Sequence, residues 1–97
     1  TVVLTDWRIL LDQEGAQYAA GLLPNDCTVR FTTRIVRSDP GIREFMTQSG
    51  RRYLLDGPPA SDPVLLSRIQ MHGLSKFLFE SILATQQLWL AMELATH

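Results

Sequence analysis

The clearest periodic signal in the chain is an alternation of apolar and polar residues between Val29 and Val36. Side chains of successive residues in a strand point to opposite faces, so a period of two is typical of a half-buried strand. One face of this strand would carry Val29, Phe31, Thr33 and Ile35, and the other Arg30, Thr32, Arg34 and Val36.

Four further segments have the composition of short strands: Trp7–Asp12, Gln17–Leu23, Ile42–Thr47 and Arg51–Leu55. Turn residues separate them, at 13–15, 24–26, 38–41 and 49–50, where glycine supplies positive φ and proline fixes φ. Five short strands joined by tight turns predict an antiparallel meander over residues 1–57. A set of this size favours an SH3-like or partly open barrel.

The second part of the chain has helical signals. Pro58 and Pro59 predict a stiff connector over 58–62, and Asp62 followed by Pro63 is a typical helix start. This pattern predicts a short helix over 63–73 that ends at Gly73, and a longer helix over 75–95 capped by Ser75. One kinked helix running through Gly73 is the alternative. The predicted fold is therefore a single α+β domain with two C-terminal helices.

The long helix has more apolar surface than one packed face requires. At about 100° per residue, one stripe suited to packing on the sheet contains Leu78, Ile82, Trp89 and Met92. A second apolar ridge falls on the polar side, at Phe79, Leu83, Leu90 and Leu94. We interpret this ridge as a contact with another molecule, either a second copy in a homodimer or a different protein. The alternative is that the shorter helix folds over it.

Composition places the chain among globular proteins, with 45% hydrophobic residues, 20% charged residues and a net charge of −1. Cys27, the only cysteine, cannot form an intramolecular disulfide and is interpreted as a small buried residue. A lone cysteine suits a reducing compartment, so we expect a cytoplasmic protein. The apolar stretch from Leu74 to Ala95 contains too many charged and amide side chains to predict a membrane span.

The charges are unevenly distributed along the chain. Between residues 30 and 52 six arginines face only Asp39 and Glu44, a local net charge of +4, whereas the rest of the chain carries −5. Such a basic surface would suit an acidic protein partner or, as the alternative function, a nucleic-acid backbone. The plain structural reading is a solvated surface paired with nearby acids, Asp56 among them. The arginines concerned are Arg30, Arg34, Arg37, Arg43, Arg51 and Arg52.

The sequence contains no recognisable catalytic pattern. His72 is interpreted as a residue at a helix C-terminus and His97 as a terminal residue, and no serine has a triad signature. Asp6, Asp12 and Glu14 could in principle form a carboxylate group that binds a metal, but Asp12 and Glu14 sit at a turn, where acidic residues are normally solvated. We therefore predict a non-enzymatic protein with no catalytic residue, cofactor or metal.

Two segments resemble a group of small uncharacterised proteins found in proteobacteria and their phages. These are Thr5-Asp6-Trp7 and the region from Thr33 to Pro58, which contains a Thr-x-Ile step and the hairpin strand Ser49-Gly50-Arg51-Arg52-Tyr53-Leu54-Leu55-Asp56-Gly57. The resemblance covers the strand-rich half of the chain. It implies a bacterial or phage cytoplasmic setting and, because the group has no assigned activity, no functional residue.

Overall fold

The computed structural model describes residues 1–25, 28–75 and 78–95. Its elements are seven strands, one 3₁₀ turn at Pro40–Ile42 and two α-helices. The strands are β1 (Val2–Leu11), β2 (Gln17–Leu22), β3 (Val29–Phe31), β4 (Ile35–Asp39), β5 (Glu44–Thr47), β6 (Arg52–Asp56) and β7 (Phe79–Glu80). The helices are α1 (Pro63–Ser75) and α2 (Ile82–Ala95). The α+β class with two C-terminal helices is confirmed.

The strands form one open, mixed sheet in the order β3-β2-β1-β6-β5-β4, with β7 also paired to β1. The prediction of a purely antiparallel five-strand meander is wrong, because β1 and β6 pair in parallel over Val2–Thr5. The predicted closure into an SH3-like barrel is not confirmed. The strand predicted from residue 29 to 36 is divided into β3 and β4, which lie at opposite ends of the strand order.

A β-bulge in β1 corrects the alternation of its side chains. The register with β2 shifts between Thr5 and Arg8, and Asp6 within this shift has a φ of 47°. Uninterrupted alternation from Leu4 would direct Asp6 and Arg8 into the core. The extra residue instead brings Leu4 and Trp7 to the same face. Gly21 of β2 lies opposite the bulge, where an added Cβ would come within 3.0 Å of the Thr5 carbonyl oxygen.

The two helices pack on opposite faces of the sheet. Helix α2 covers a core whose members include Leu4, Trp7, Ile9, Ala19, Phe45, Tyr53, Leu55, Ala84 and Met92. Helix α1 covers a second core on the other face, with Leu10, Ala20, Ala60, Leu65, Ile69 and Leu78. The predicted long-helix stripe is therefore only partly right: Met92 is buried between α2 and the sheet, but Leu78 belongs to the α1 core on the other face.

The free edge of β1 is completed by groups from three different segments. Strand β6 covers its first half and β7 only Leu10 and Leu11, which leaves the residues between them without a strand neighbour. There the Trp7 carbonyl accepts from the Ala60 N–H at 3.0 Å. The Ile9 carbonyl accepts from the Ser81 N–H at 3.0 Å, and the Ile9 N–H donates to Thr85 Oγ1 at 2.9 Å. The carbonyl of Trp7 and both backbone groups of Ile9 therefore have hydrogen-bond partners.

The helix starts follow side-chain caps, of which the sequence identified one. Asp62 Oδ1 accepts from the Val64 N–H at 3.0 Å, which confirms the predicted start of α1. Helix α1 then continues through Gly73 to Ser75, so the predicted stop at Gly73 is wrong. The longer helix begins at Ile82, not near Ser75, and Ser81 Oγ accepts from the Ala84 N–H at 3.0 Å.

Residues 78–80 do not join the longer helix, for a reason that lies in the sheet. Strand β7 pairs with Leu10 and Leu11 at the far end of the β1 edge that β6 does not reach, and Glu80 forms an ion pair with Arg8 at 3.4 Å between Oε1 and Nε. The Gln70 side-chain amide of α1 donates to the other oxygen of Glu80 at 3.0 Å. The interpretations of Cys27 and His97, and the predicted helical placement of Lys76, concern residues outside the described ranges.

The first prediction concerns Thr85, which is fully buried. Its hydroxyl donates to the Ser81 carbonyl at 2.7 Å while accepting from Ile9. Thr85→Val keeps the shape but leaves the Ile9 N–H unsatisfied, so we expect a loss of about 1–3 kcal/mol in the free energy of unfolding. Urea unfolding measures it. Thr85→Ser keeps the hydroxyl and is the control; equal stability of the valine variant and the wild type would contradict the prediction.

Candidate functional site: the exposed face of helix α2

One side of α2 carries a row of exposed leucines. Leu83 is 66% exposed, Leu90 59% and Leu94 69%. At about 100° per residue their directions fall within roughly 40° of one another around the helix axis. The amides of Gln86 and Gln87 lie on the two sides of this row. We call Leu83, Leu90 and Leu94 the leucine stripe.

Phe79 lies outside α2, although the sequence placed it on the same helical ridge. It belongs to β7, where it pairs with Leu11 and is 51% exposed. Directly opposite residues in an antiparallel pair point to the same face, and Leu11 packs against the α2 core. Phe79 therefore lies on the α2 side of the sheet. Phe79 and the leucine stripe are therefore on the same side of the sheet, the side on which α2 packs.

The opposite side of α2 is held firmly against the sheet. The rings of Trp7 and Trp89 lie 6.4 Å apart between centroids, and the guanidinium of Arg43 lies 5.4 Å from the centre of the Trp89 ring. Arg43 has a φ of 57° at the end of the 3₁₀ turn. These contacts fix the rotation of α2 about its axis, and so they direct the leucine stripe away from the sheet.

The proposed cover by the shorter helix is not observed, because α1 packs on the other face of the sheet. Sequence reasoning also missed Ile82, which it assigned to the packed stripe and which is 61% exposed. The buried side of α2 is centred closer to Ala84 and Leu88 than predicted. Because this side contains small residues such as Ala84, its hydrophobic signal in the sequence was weak, although small side chains allow the helix to pack close to the sheet.

The six candidate arginines occupy several different surroundings. Arg37 and Arg52 lie on the sheet face away from α2, because they pair across Met46, which alternates with the α2-facing Phe45. Each forms an ion pair at 3.7 Å, Arg37 with Asp39 and Arg52 with Glu44. Arg43 lies over Trp89 on the other face. Arg30 is in β3 opposite Gly21, and Arg34 and Arg51 lie in the turns at one end of the sheet.

The turn that joins β1 to β2 borders an open cavity of about 740 Å³, most of whose lining residues have polar side chains. Asp12 organises this turn: Oδ1 accepts from the backbone N–H groups of Glu14 and Ala16, both at 2.9 Å, and Oδ2 accepts from the Tyr18 hydroxyl at 3.1 Å. Burial acts to raise the pKa of Asp12, but these hydrogen bonds outweigh it and lower the pKa below 3.8. Burial and the bond to Asp12 raise the pKa of Tyr18.

Asp12 therefore stabilises the turn, and both oxygens of its carboxylate already accept hydrogen bonds from the chain. Asp6 lies in the β1 bulge. Within residues 1–25, 28–75 and 78–95 no three His, Cys, Asp or Glu side chains are grouped so as to hold a metal ion. His72 lies beside Phe31, with ring centroids 5.9 Å apart. In the same part of the chain no helix has the length and apolarity needed to span a membrane.

Comparisons with protein-family models, with curated proteins and with solved structures find no match to this chain. The resemblance of the strand-rich half to small proteobacterial and phage proteins accordingly stays a prediction. The described contacts and exposed surfaces are thus the basis for inferring a function.

The second prediction follows from the lowered pKa of Asp12. A carboxyl group with a folded-state pKa below its unfolded value stabilises the fold above the unfolded pKa, near 3.8, and loses this effect as the pH falls through the folded pKa. We expect Asp12→Asn to be less stable than the wild type at pH 7 and the difference to shrink below about pH 4. Unfolding by urea between pH 2.5 and 7 measures both; a difference that does not change with pH would contradict the assignment.

Proposed function

We propose that this chain is a non-enzymatic protein-interaction domain that self-associates through the leucine stripe of α2, with Phe79 at the margin of the contact. The observation that carries the proposal is the exposure of three leucines in a single row on a helix whose opposite side is fixed against the sheet. A contiguous apolar surface of this kind is typical of a protein contact.

The physical chemistry of the stripe supports a second copy as the occupant. A two-fold contact places the same surface on both sides, so it must be compatible with itself. Leucine meets this condition, and glutamine at the margins does too, because its amide both donates and accepts hydrogen bonds. Among residues 82–95 Glu93 is the only charged residue, so two copies of this face carry little like charge into the contact.

The third prediction is that the protein is a dimer, with a mass in solution twice the chain mass of 11.0 kDa. Leu83→Glu combined with Leu90→Glu places two carboxylates in the proposed contact, and burial of unpaired charge there is strongly unfavourable. We expect this variant to be a folded monomer. Light scattering measures the mass, and circular dichroism verifies the fold.

Helix α1 offers a matched control. Val64 and Met71 are 70% and 71% exposed on that helix, so Val64→Glu with Met71→Glu makes a similar chemical change away from α2. This variant should stay dimeric. A monomeric wild type would overturn the proposal, and so would an α1 variant that dissociates as fully as the α2 variant.

A second candidate function is the binding of an acidic protein partner by arginines at one end of the sheet. The Arg34 carbonyl accepts from the Gln48 N–H at 2.8 Å, which joins the loop after β3 to the turn that carries Arg51. Among the described residues Arg34 and Arg51 form no ion pair, whereas Arg37 and Arg52 do. This backbone bond brings together the segments that carry Arg34 and Arg51, and guanidinium groups bind carboxylates well, so these two arginines are the candidates for a carboxylate-binding surface. Nucleic acid is the competing ligand for the same arginines.

The fourth prediction separates these ligands by the anisotropy of a labelled poly-glutamate peptide and a labelled single-stranded oligonucleotide. We expect Arg34→Glu to weaken binding of the peptide by about tenfold at low salt, because it turns attraction into repulsion. Arg68→Glu on α1 changes the net charge equally and should have a much smaller effect. Equal effects of the two variants would contradict an acidic-partner surface. Tighter binding of the oligonucleotide, with a steep dependence on salt, would favour nucleic acid.

A further inference from the structure

The open cavity at one end of the sheet has the features of a binding site for a small ligand. Its volume of about 740 Å³ lies in the usual range for such sites, about 300–1,000 Å³. Three segments that are distant in sequence line it: the turn that joins β1 to β2, residues 32–34 after β3, and the turn between β5 and β6. We propose that it binds a small zwitterion, a free amino acid or a short peptide with unblocked termini, whose carboxylate contacts Arg34 and whose ammonium group contacts Glu14. The site is separate from the leucine stripe, so this inference does not depend on self-association.

Hydrogen bonds within the chain hold the walls of this cavity in place. Thr32 Oγ1 accepts from the Ala19 N–H at 3.0 Å, and the Ala19 carbonyl accepts from the Thr32 N–H at 2.9 Å, which joins residues 32–34 to β2. The Arg34 carbonyl accepts from the Gln48 N–H at 2.8 Å, which joins the same segment to the turn after β5. Asp12 holds the turn between β1 and β2 through both of its carboxylate oxygens. Because the walls are already ordered, little conformational entropy is lost when a ligand binds.

Arg34 supplies the positive charge of the cavity. Its side chain is part of the lining, and it forms no ion pair with any of the residues that the structure describes. Burial and the bond to Asp12 raise the pKa of Tyr18, and the charge of Arg34 acts against them, so the guanidinium lies close enough to the phenol to affect it. A guanidinium can bind a carboxylate through two parallel hydrogen bonds. The exposed Gln48 of the lining offers amide donors to the same carboxylate.

The turn that joins β1 to β2 supplies acceptors for an ammonium group. Glu14 is exposed there, lines the cavity, and also acts on Tyr18 through its negative charge. The Tyr18 hydroxyl donates its proton to Asp12, so the lone pairs of its oxygen are directed elsewhere and can accept. An ammonium group has three donors. It can therefore bind the Glu14 carboxylate and the phenol oxygen together.

The balance of charges favours a ligand that carries both signs. Asp12 and Glu14 contribute two carboxylates to the lining, and Arg34 contributes one guanidinium. An anion alone would meet the carboxylates and a cation alone the guanidinium, whereas a zwitterion has an opposite charge for each. Leu78 of the α1 core, and the ring of Tyr18 that packs against this core, add apolar surface for the rest of the ligand.

The first part of the test uses L-leucine and trialanine as probes, with binding measured by isothermal titration calorimetry at millimolar probe concentration. N-acetyl-trialanine lacks the ammonium group, and trialanine amide lacks the carboxylate. Each blocked peptide should bind roughly tenfold more weakly than trialanine, because it loses one charge-assisted pair. Tighter binding of L-leucine identifies a free amino acid as the ligand, and tighter binding of trialanine identifies a peptide.

The second part matches each charge of the probe to one residue of the cavity. Arg34→Gln should weaken the binding of trialanine roughly tenfold and leave that of trialanine amide unchanged, because the amide has no carboxylate to lose. Glu14→Gln should do the same for trialanine and leave that of N-acetyl-trialanine unchanged. Both residues are exposed, and circular dichroism verifies that the variants are folded. Arg51→Gln, in the turn beside the cavity but outside its lining, is the control and should bind trialanine like the wild type.

Three results would overturn the inference: a wild type that binds neither probe, N-acetyl-trialanine that binds as tightly as trialanine, or an Arg34→Gln variant that affects trialanine and its amide equally. None of them depends on the mass in solution, which tests self-association. The acidic-partner surface is also distinguished. Glu14→Gln should not weaken the binding of the poly-glutamate peptide, because it removes a repulsive charge, whereas it should weaken the binding of a zwitterion.

Discussion

The fold depends on the completion of hydrogen bonds along the free edge of β1. This strand lies in the middle of the sheet, but its neighbour β6 reaches only its first half. An unpaired backbone group in a buried position is costly, so the remaining part of the edge needs partners. They come from Ala60, Ser81 and Thr85, which belong to the connector, the loop before α2 and α2 itself. The C-terminal half of the chain is thus required to finish the N-terminal strand.

This requirement explains which features the sequence predicted and which it did not. Turns depend on a few adjacent residues, and the structure has positive φ at Gly15 and Gly50, where glycine signalled a turn. The cap at Asp62 was predicted for the same reason. The parallel pairing of β1 with β6 joins segments about fifty residues apart, and no local pattern specifies it. Phe79 and Glu80 have helical neighbours in sequence, yet the vacant edge of β1 makes them a strand.

The candidate surface was predictable to a similar extent. Helical periodicity was enough to bring Leu83, Leu90 and Leu94 together, because all three lie within one helix. Phe79 reached the same side of the molecule by pairing with Leu11, for which periodicity offered no argument. The positions of the arginines depend on the order of the strands in the sheet. Because β3 and β4 lie at opposite ends of that order, the arginines are spread over separate parts of the surface. Arg37 and Arg52 then find acids across neighbouring strands, which sequence distance alone does not show.

The hydroxyl of Thr85 has a consequence for the energetics of assembly. Because this residue links α2 to the central strand, whatever binds the outer side of the helix acts on the same cooperative unit as the sheet. Association of folded chains would then oppose unfolding by mass action, and the melting temperature would rise with protein concentration. Self-association would in this way add to the small free energy of unfolding of a domain of this size, by an amount that grows with protein concentration.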